Sequence, residues 1–148
     1  MTENNSMIST MIDNMITWAE SRIGNPDYAG WCLSFIEDAL EKSNDIEIFG
    51  GDSAKESCEM YQDALHTGIP EKGAFVFYDC LCPSRNGPVN WGHCGIALGD
   101  GTVIHAWDEV RIDDYLAIEK LRALSGDHPK YIGWVPIERM LAEKDPDE

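Results

Sequence analysis

Residues 91–107 read WGHCGIALGDGTVIHAW, two short apolar runs hinged on Gly-Asp-Gly with a histidine near each outer end. Such a stretch is a β-hairpin, and its register decides what each face carries, because a slip of one residue turns one strand over relative to the other. A two-residue Asp100-Gly101 turn sets His105 opposite Ile96. A three-residue loop with Gly101 in the left-handed region sets Leu98 against Thr102 and His105 against Gly95. In the second register Cys94, Ile96 and Leu98 share an apolar face with Thr102, Ile104 and Ala106. The opposite face then carries His93, Gly95, Ala97, Val103, His105 and Trp107. The three-residue loop is the expected one, since it gathers both histidines on one face as diagonal neighbours about 7–8 Å apart at the backbone. Gly95, across from His105, leaves the space between them open. Two unrelated strand histidines, each satisfied on its own, are the plainer alternative at this point.

Around the hairpin the periodicity changes once. From about Ser6 to Ile23, Ile8, Ile12, Ile16 and Ala19 recur at helical spacing beside Met7, Met11, Met15 and Trp18, the methionines reading as core filler. Gly24-Asn25-Pro26-Asp27 breaks that helix, and WCLSFIEDALEK resumes the spacing after Gly30. A third helix is expected from Ser53, where Ser53 and Glu56 have capping-box spacing, to before Gly68. AFVFY, 92–98, 102–107 and YIGWV read as strands, while DDYLAIEKLRAL and PIERMLAEK read as helices. Helices followed by a mostly antiparallel sheet give an α+β fold, expected as a single domain over 1–148.

The formal charge of −16 excludes some partners. A surface so acidic repels polyanions, so neither nucleic acid nor an anionic membrane is expected, and no run approaches the ~18 apolar residues of a membrane span. MTENNSMIST lacks a basic stretch followed by an apolar one, so no export signal is read there and the chain is expected to begin in the cytoplasm. Five cysteines without a disulfide spacing suit a reducing compartment.

A histidine oriented by a second polar group is the base half of a nucleophilic site. Cys32 has the best setting for the other half. It follows a Gly-Trp turn and opens a helix, where unpaired N–H groups and the helix dipole favour thiolate over the ordinary thiol pKa of about 8.5. The same N–H groups suit a developing oxyanion. Cys58 and Cys94 read as structural, the second on the core face of the hairpin. Cys80, Cys82, His93 and Cys94 invite a zinc reading, but C-x-C is tighter than the usual ligand spacing and the register turns His93 and Cys94 to opposite faces. No metal and no cofactor is therefore expected. His66, near a helix C-terminus, and His128, in a loop, receive no role. Asp108 is a substitute orienter one position out of phase.

Three pieces together, GWCLSF around Cys32, the strand entry IPEKGAFVFYD, and HCGIALGDGTVIHA, resemble the NlpC (NlpC/p-sixty) family of cell-wall cysteine peptidases, of the papain-like superfamily. The resemblance covers roughly residues 23–112 and is strongest over the hairpin. It implies Cys32 as nucleophile, His93 as base and His105 as the polar residue orienting it, on a papain-like fold. It also implies Tyr28 as the phenol aimed at the oxyanion, reached by a shorter turn than the family's. Trp31-Cys32-Leu33-Ser34 stands where the family has Asp-Cys-Ser-Gly, and is nearer to the related CHAP amidases. Trp31, Trp91 and Trp107 flank the three residues. Core packing is their commoner fate, and lining a substrate groove is the alternative.

What the resemblance implies for function is hydrolysis of an amide bond in a peptidoglycan stem peptide or muropeptide, through a thioester. An N-acetylmuramoyl-L-alanine amidase, an acyltransferase or deamidase acting on proteins, and a catalytically silent binding module stand beside it. A chain begun in the cytoplasm would need lysis, a holin-like partner or a dedicated secretion system to reach the wall.

Overall fold

Amphipathic spacing builds the first half of the chain into helices: α1 (Thr2–Glu20), α2 (Cys32–Asn44) and α3 (Ala54–Met60). In the computed structural model the described residues are 2–48, 50–82, 85–87, 89–122 and 128–141. Ser53 caps α3 as the capping-box spacing predicts, its side chain accepting from the Glu56 amide. That helix stops at Met60, and a 3₁₀ turn over Gln62–Ala64 follows before Gly68. The α1 helix starts and ends earlier than 6–23. Met15 and Ala19 are buried, whereas Met7 is exposed and not core filler.

The second half forms β1 (Phe75–Asp79), β2 (Leu81–Cys82), β3 (Val89–Asn90), β4 (His93–Ala97), β5 (Thr102–Ala106), β6 (Val110–Asp114), β7 (Lys130–Val135) and α4 (Ile137–Leu141). Five strands make one antiparallel sheet in the order β6-β5-β4-β1-β7, and β2 and β3 pair as a separate ribbon. The fold is α+β as expected. PIERMLAEK is helical from Ile137 to Leu141, and its last three residues lie outside the described ones. No helix among the described residues is long and apolar enough to cross a membrane.

Alternation sorts the sheet's two faces. Phe75, Phe77, Cys94, Ile96, Ile104 and Ala106 meet the helices, where Phe35, Ile36, Ala39 and Leu40 of α2 join Met15 and Ala19 of α1 in the main core. Each Ile, Leu, Phe or Met side chain among them stabilises by about 1.5–3 kcal/mol through burial. Val76, Tyr78, Ala97 and Val103 point the other way, onto Ile118 and the partly buried Tyr115, Leu121 and Tyr131.

One expected helix is a strand. The segment DDYLAIEKLRAL begins inside β6, which pairs with β5 through Thr102↔Asp114, Val103↔Asp113 and His105↔Arg111. The open edge of β5 offers backbone partners that outweigh local helix propensity. Asp114 then caps the following turn, its carboxylate accepting from the amides of Leu116 and Ala117, and Ala117–Lys120 coil as a 3₁₀ turn, while the last two residues of that segment lie outside the described ones. His66 lies beyond the helices, bridged to Trp134 and stacked on its ring.

Candidate active site

The hairpin takes the three-residue loop. Ile96 faces Ile104 and Ala97 faces Val103, which sets Gly95 opposite His105 and His93 opposite Trp107. Gly101 is left-handed, with φ +89°, as the loop requires. A Cβ on Gly95 would lie 2.9 Å from His105 Cβ, so only glycine leaves that ring its place.

His93 and His105 are both buried, and His93 Nε2 lies 2.8 Å from His105 Nδ1. Tyr78 and Trp107 enclose the His93 ring, with centroids 5.9 and 5.0 Å away. The far nitrogen of His105, Nε2, lies 2.8 Å from Asp113 Oδ2. Arg111 holds that carboxylate by two bonds, Nε to Oδ2 at 2.8 Å and Nη2 to Oδ1 at 3.3 Å. Burial opposes ionisation of Asp113, but the hydrogen bonds from His105 and Arg111 outweigh it and hold the carboxyl below its ordinary range. Burial first, then the charge on His93, pushes His105 down to about 3, so it is neutral at physiological pH.

Cys32 opens α2, and Trp31 at the N-cap supplies no side-chain acceptor. The first-turn N–H groups are thus uncapped where Cys32, Leu33 and Ser34 line a cleft of about 1180 Å³. Cys32 meets side chains from both faces of β4: Cys94, which faces the helices, and His93, which faces away. This places the thiol, at the start of α2, beside the first two residues of β4. A hydrogen bond from Cys94 is the largest influence on it. With the hydrogen bond and charge of His93, it outweighs burial and holds Cys32 well below the usual thiol range. Burial drives Cys58 the other way, up to about 11, and raises Cys94 as well. Of these three thiols, Cys32 alone is favoured as thiolate. Cys94 is a core residue as expected, but its contact with Cys32 was not foreseen.

The tryptophans are not core. Trp31 is 66% exposed, Trp91 is 50% exposed and Trp107 is half-buried, and all three line the cleft with Cys32 and His93. Tyr28 is not brought there. Its hydroxyl donates to Asp38 Oδ2 at 2.6 Å and its ring packs on Trp18 and Phe35, so the phenol is committed away from an oxyanion. Asp108 lines the cleft and accepts from Arg111, while Asp113 is the carboxylate on His105. The signal for Asp113 is the alternation of VRIDD, which carries Arg111 and Asp113 onto the histidine face once β6 is a strand. Glu37, also on the cleft, is pushed up to about 8 by burial, then by the charges of Glu41, Asp38 and Asp52.

No family model matches the chain, and no curated protein matches it in sequence. Among solved structures it is similar to a protein from Staphylococcus aureus subsp. aureus Mu50 described as similar to lipoprotein, of the NLP/P60 family. The TM-score is 0.57 at 17% identity, over 86% of this chain and 41% of that one. The likeness is one of fold, the papain-like α+β arrangement. The chain spans about two-fifths of that protein's length.

Proposed function

We propose that on this papain-like fold the chain is a cysteine hydrolase that cleaves an amide bond in a peptidoglycan stem peptide or muropeptide. The observation that carries this reading is the thiol at an uncapped helix start, in contact with a histidine whose other ring nitrogen is hydrogen-bonded to a second, neutral histidine. His105 occupies Nε2 of His93, so Nδ1 is the atom that exchanges a proton with Cys32. The Cys32 thiolate attacks the amide carbonyl carbon, and the backbone N–H of Cys32 stabilises the oxyanion. His93 protonates the leaving amine, and the C–N bond breaks to leave an acyl thioester on Cys32. Water, losing a proton to His93, then attacks the thioester carbon and frees the acid and the thiol.

Trp31 and Trp91 favour a second bond within the same substrate class. Exposed indole faces beside the nucleophile suit the apolar face of a sugar ring, which an amidase cutting between sugar and peptide would hold. The test is digestion of purified wall fragments with the full chain, followed by mass spectrometry. Cleavage within the stem peptide supports the peptidase, release of intact peptide from sugar supports the amidase, and both must vanish in Cys32→Ala. Intact fragments, or cleavage that survives Cys32→Ala, would overturn the hydrolase reading.

A further inference from the structure

We infer that Asp113, clamped by Arg111, is a positioning residue that sets which nitrogen carries the proton on both histidine rings. The deduction runs from the outer end inwards. An ionised carboxylate only accepts hydrogen bonds, so His105 Nε2, 2.8 Å from Asp113 Oδ2, must carry a proton. His105 is neutral, so its Nδ1 is bare and must accept from the group 2.8 Å away, which is His93 Nε2. His93 therefore donates from Nε2 whatever its charge, and its Nδ1 is left as the basic atom for Cys32. Arg111 matters because its two bonds to Asp113 fix the carboxylate's plane and keep it anionic, and a guanidinium cannot lose its proton to reverse the pattern. Tyr78, an aromatic neighbour of His93, does not compete, because its hydroxyl is spent on the Tyr115 carbonyl.

The step from Asp113 to Cys32 rests on the hydrolase reading, but the protonation pattern does not, so the two are tested separately. Asp113→Val keeps a strand-forming side chain and removes both oxygens, including Oδ2, which His105 Nε2 and Arg111 Nε share. His105 then has no acceptor for an Nε2 proton, its proton shifts to Nδ1, and the neutral His93 proton moves to its own Nδ1, facing Cys32. Asp113→Glu changes the size but remains an acceptor, and Asp113 is 18% exposed, with room to adjust. A packing role ranks Val above Glu, whereas the relay ranks Glu above Val.

The experiment records ring ¹⁵N shifts of both histidines in the labelled full chain at pH 7. Alongside it, the rate of Cys32 alkylation by iodoacetamide is followed against pH by peptide mapping. Wild type and Asp113→Glu are expected to show His105 protonated at Nε2 alone and His93 protonated at Nε2. Asp113→Val is expected to show His105 protonated at Nδ1, with Cys32 alkylation at neutral pH slowed about 10–100-fold. That is less than the ~10⁴ lost when the carboxylate touches the catalytic ring itself, because a whole ring intervenes here. Unchanged rings in Asp113→Val, or Glu more damaging than Val, would overturn the relay. Should Asp113→Val fail to fold, the wild-type spectrum decides alone: a bare Nε2 on His93 refutes it. Correct rings in a chain inert towards wall fragments would refute only the hydrolase.

Discussion

Gly95→Ala tests the geometry on which both histidines depend. The new Cβ would lie 2.4 Å from Val103 Cγ1, 2.9 Å from His105 Cβ and 2.9 Å from the Ile104 carbonyl oxygen. Carbon atoms settle about 3.5–4.0 Å apart, so the first contact is short by roughly 1 Å and the second by more than 0.5 Å. None of these atoms is the free end of a flexible side chain, so β4 and β5 must separate. Overpacking of this kind costs about 1–3 kcal/mol. The lower chain entropy of alanine in a strand returns about 0.5–1 kcal/mol, leaving a net loss of about 1–2 kcal/mol. For a chain of this length that lowers Tm by roughly 2–8 °C. Retreat of His105 also stretches its 2.8 Å bond to His93 towards a length where little attraction remains, so Cys32 alkylation at neutral pH should slow several-fold. Adding Val103→Ala removes the Cγ1 contact but not that of His105 Cβ. The double variant should therefore melt higher than the sum of the two losses allows, while Cys32 stays slow. Thermal melts and the alkylation assay read both effects. A Gly95→Ala chain with wild-type Tm and wild-type Cys32 reactivity would refute the reasoning.

Cys94→Val removes the thiol that hydrogen-bonds Cys32, so the Cys32 pKa should rise and alkylation at pH 6–7 should fall several-fold. Ser53→Ala deletes the side-chain cap of α3 and should cost about 1 kcal/mol in a urea melt. Glu37 is held at about 8, above its ordinary 4.5, so the folded state binds its proton more tightly and stability falls as pH rises from 4.5 through 8. After allowance for its partial exposure to solvent, Glu37→Gln should recover about 1–2 kcal/mol at pH 9 and little at pH 5. His105 has the opposite sign. Held at about 3 against an ordinary 6.5, it contributes stability that is present above 6.5 and lost as pH falls towards 3, and urea melts from pH 4 to 9 should show an acid limb that Glu37→Gln does not remove.

What the sequence determined by itself is local. The alternation of WGHCGIALGDGTVIHAW and the glycines of its turn select one register, because a strand's period of two and a turn's backbone demands are both written within a dozen residues. The same holds for the Ser53 cap and for the helix that begins at Cys32. Everything that depends on a neighbour far along the chain was decided by the tertiary structure. VRIDD is extended because the edge of β5 takes up its backbone hydrogen bonds, and only then does Asp113 reach His105. Tyr28 turns from the cleft because Asp38, ten residues on, accepts its hydroxyl. Trp31 and Trp91 stand in solvent because the main core is filled by Phe35, Phe75 and Phe77. Cys94, which its strand phase assigns to the core, touches Cys32 because the start of α2 comes level with the start of β4. Periodicity reports which way a side chain points, and packing decides what it meets there.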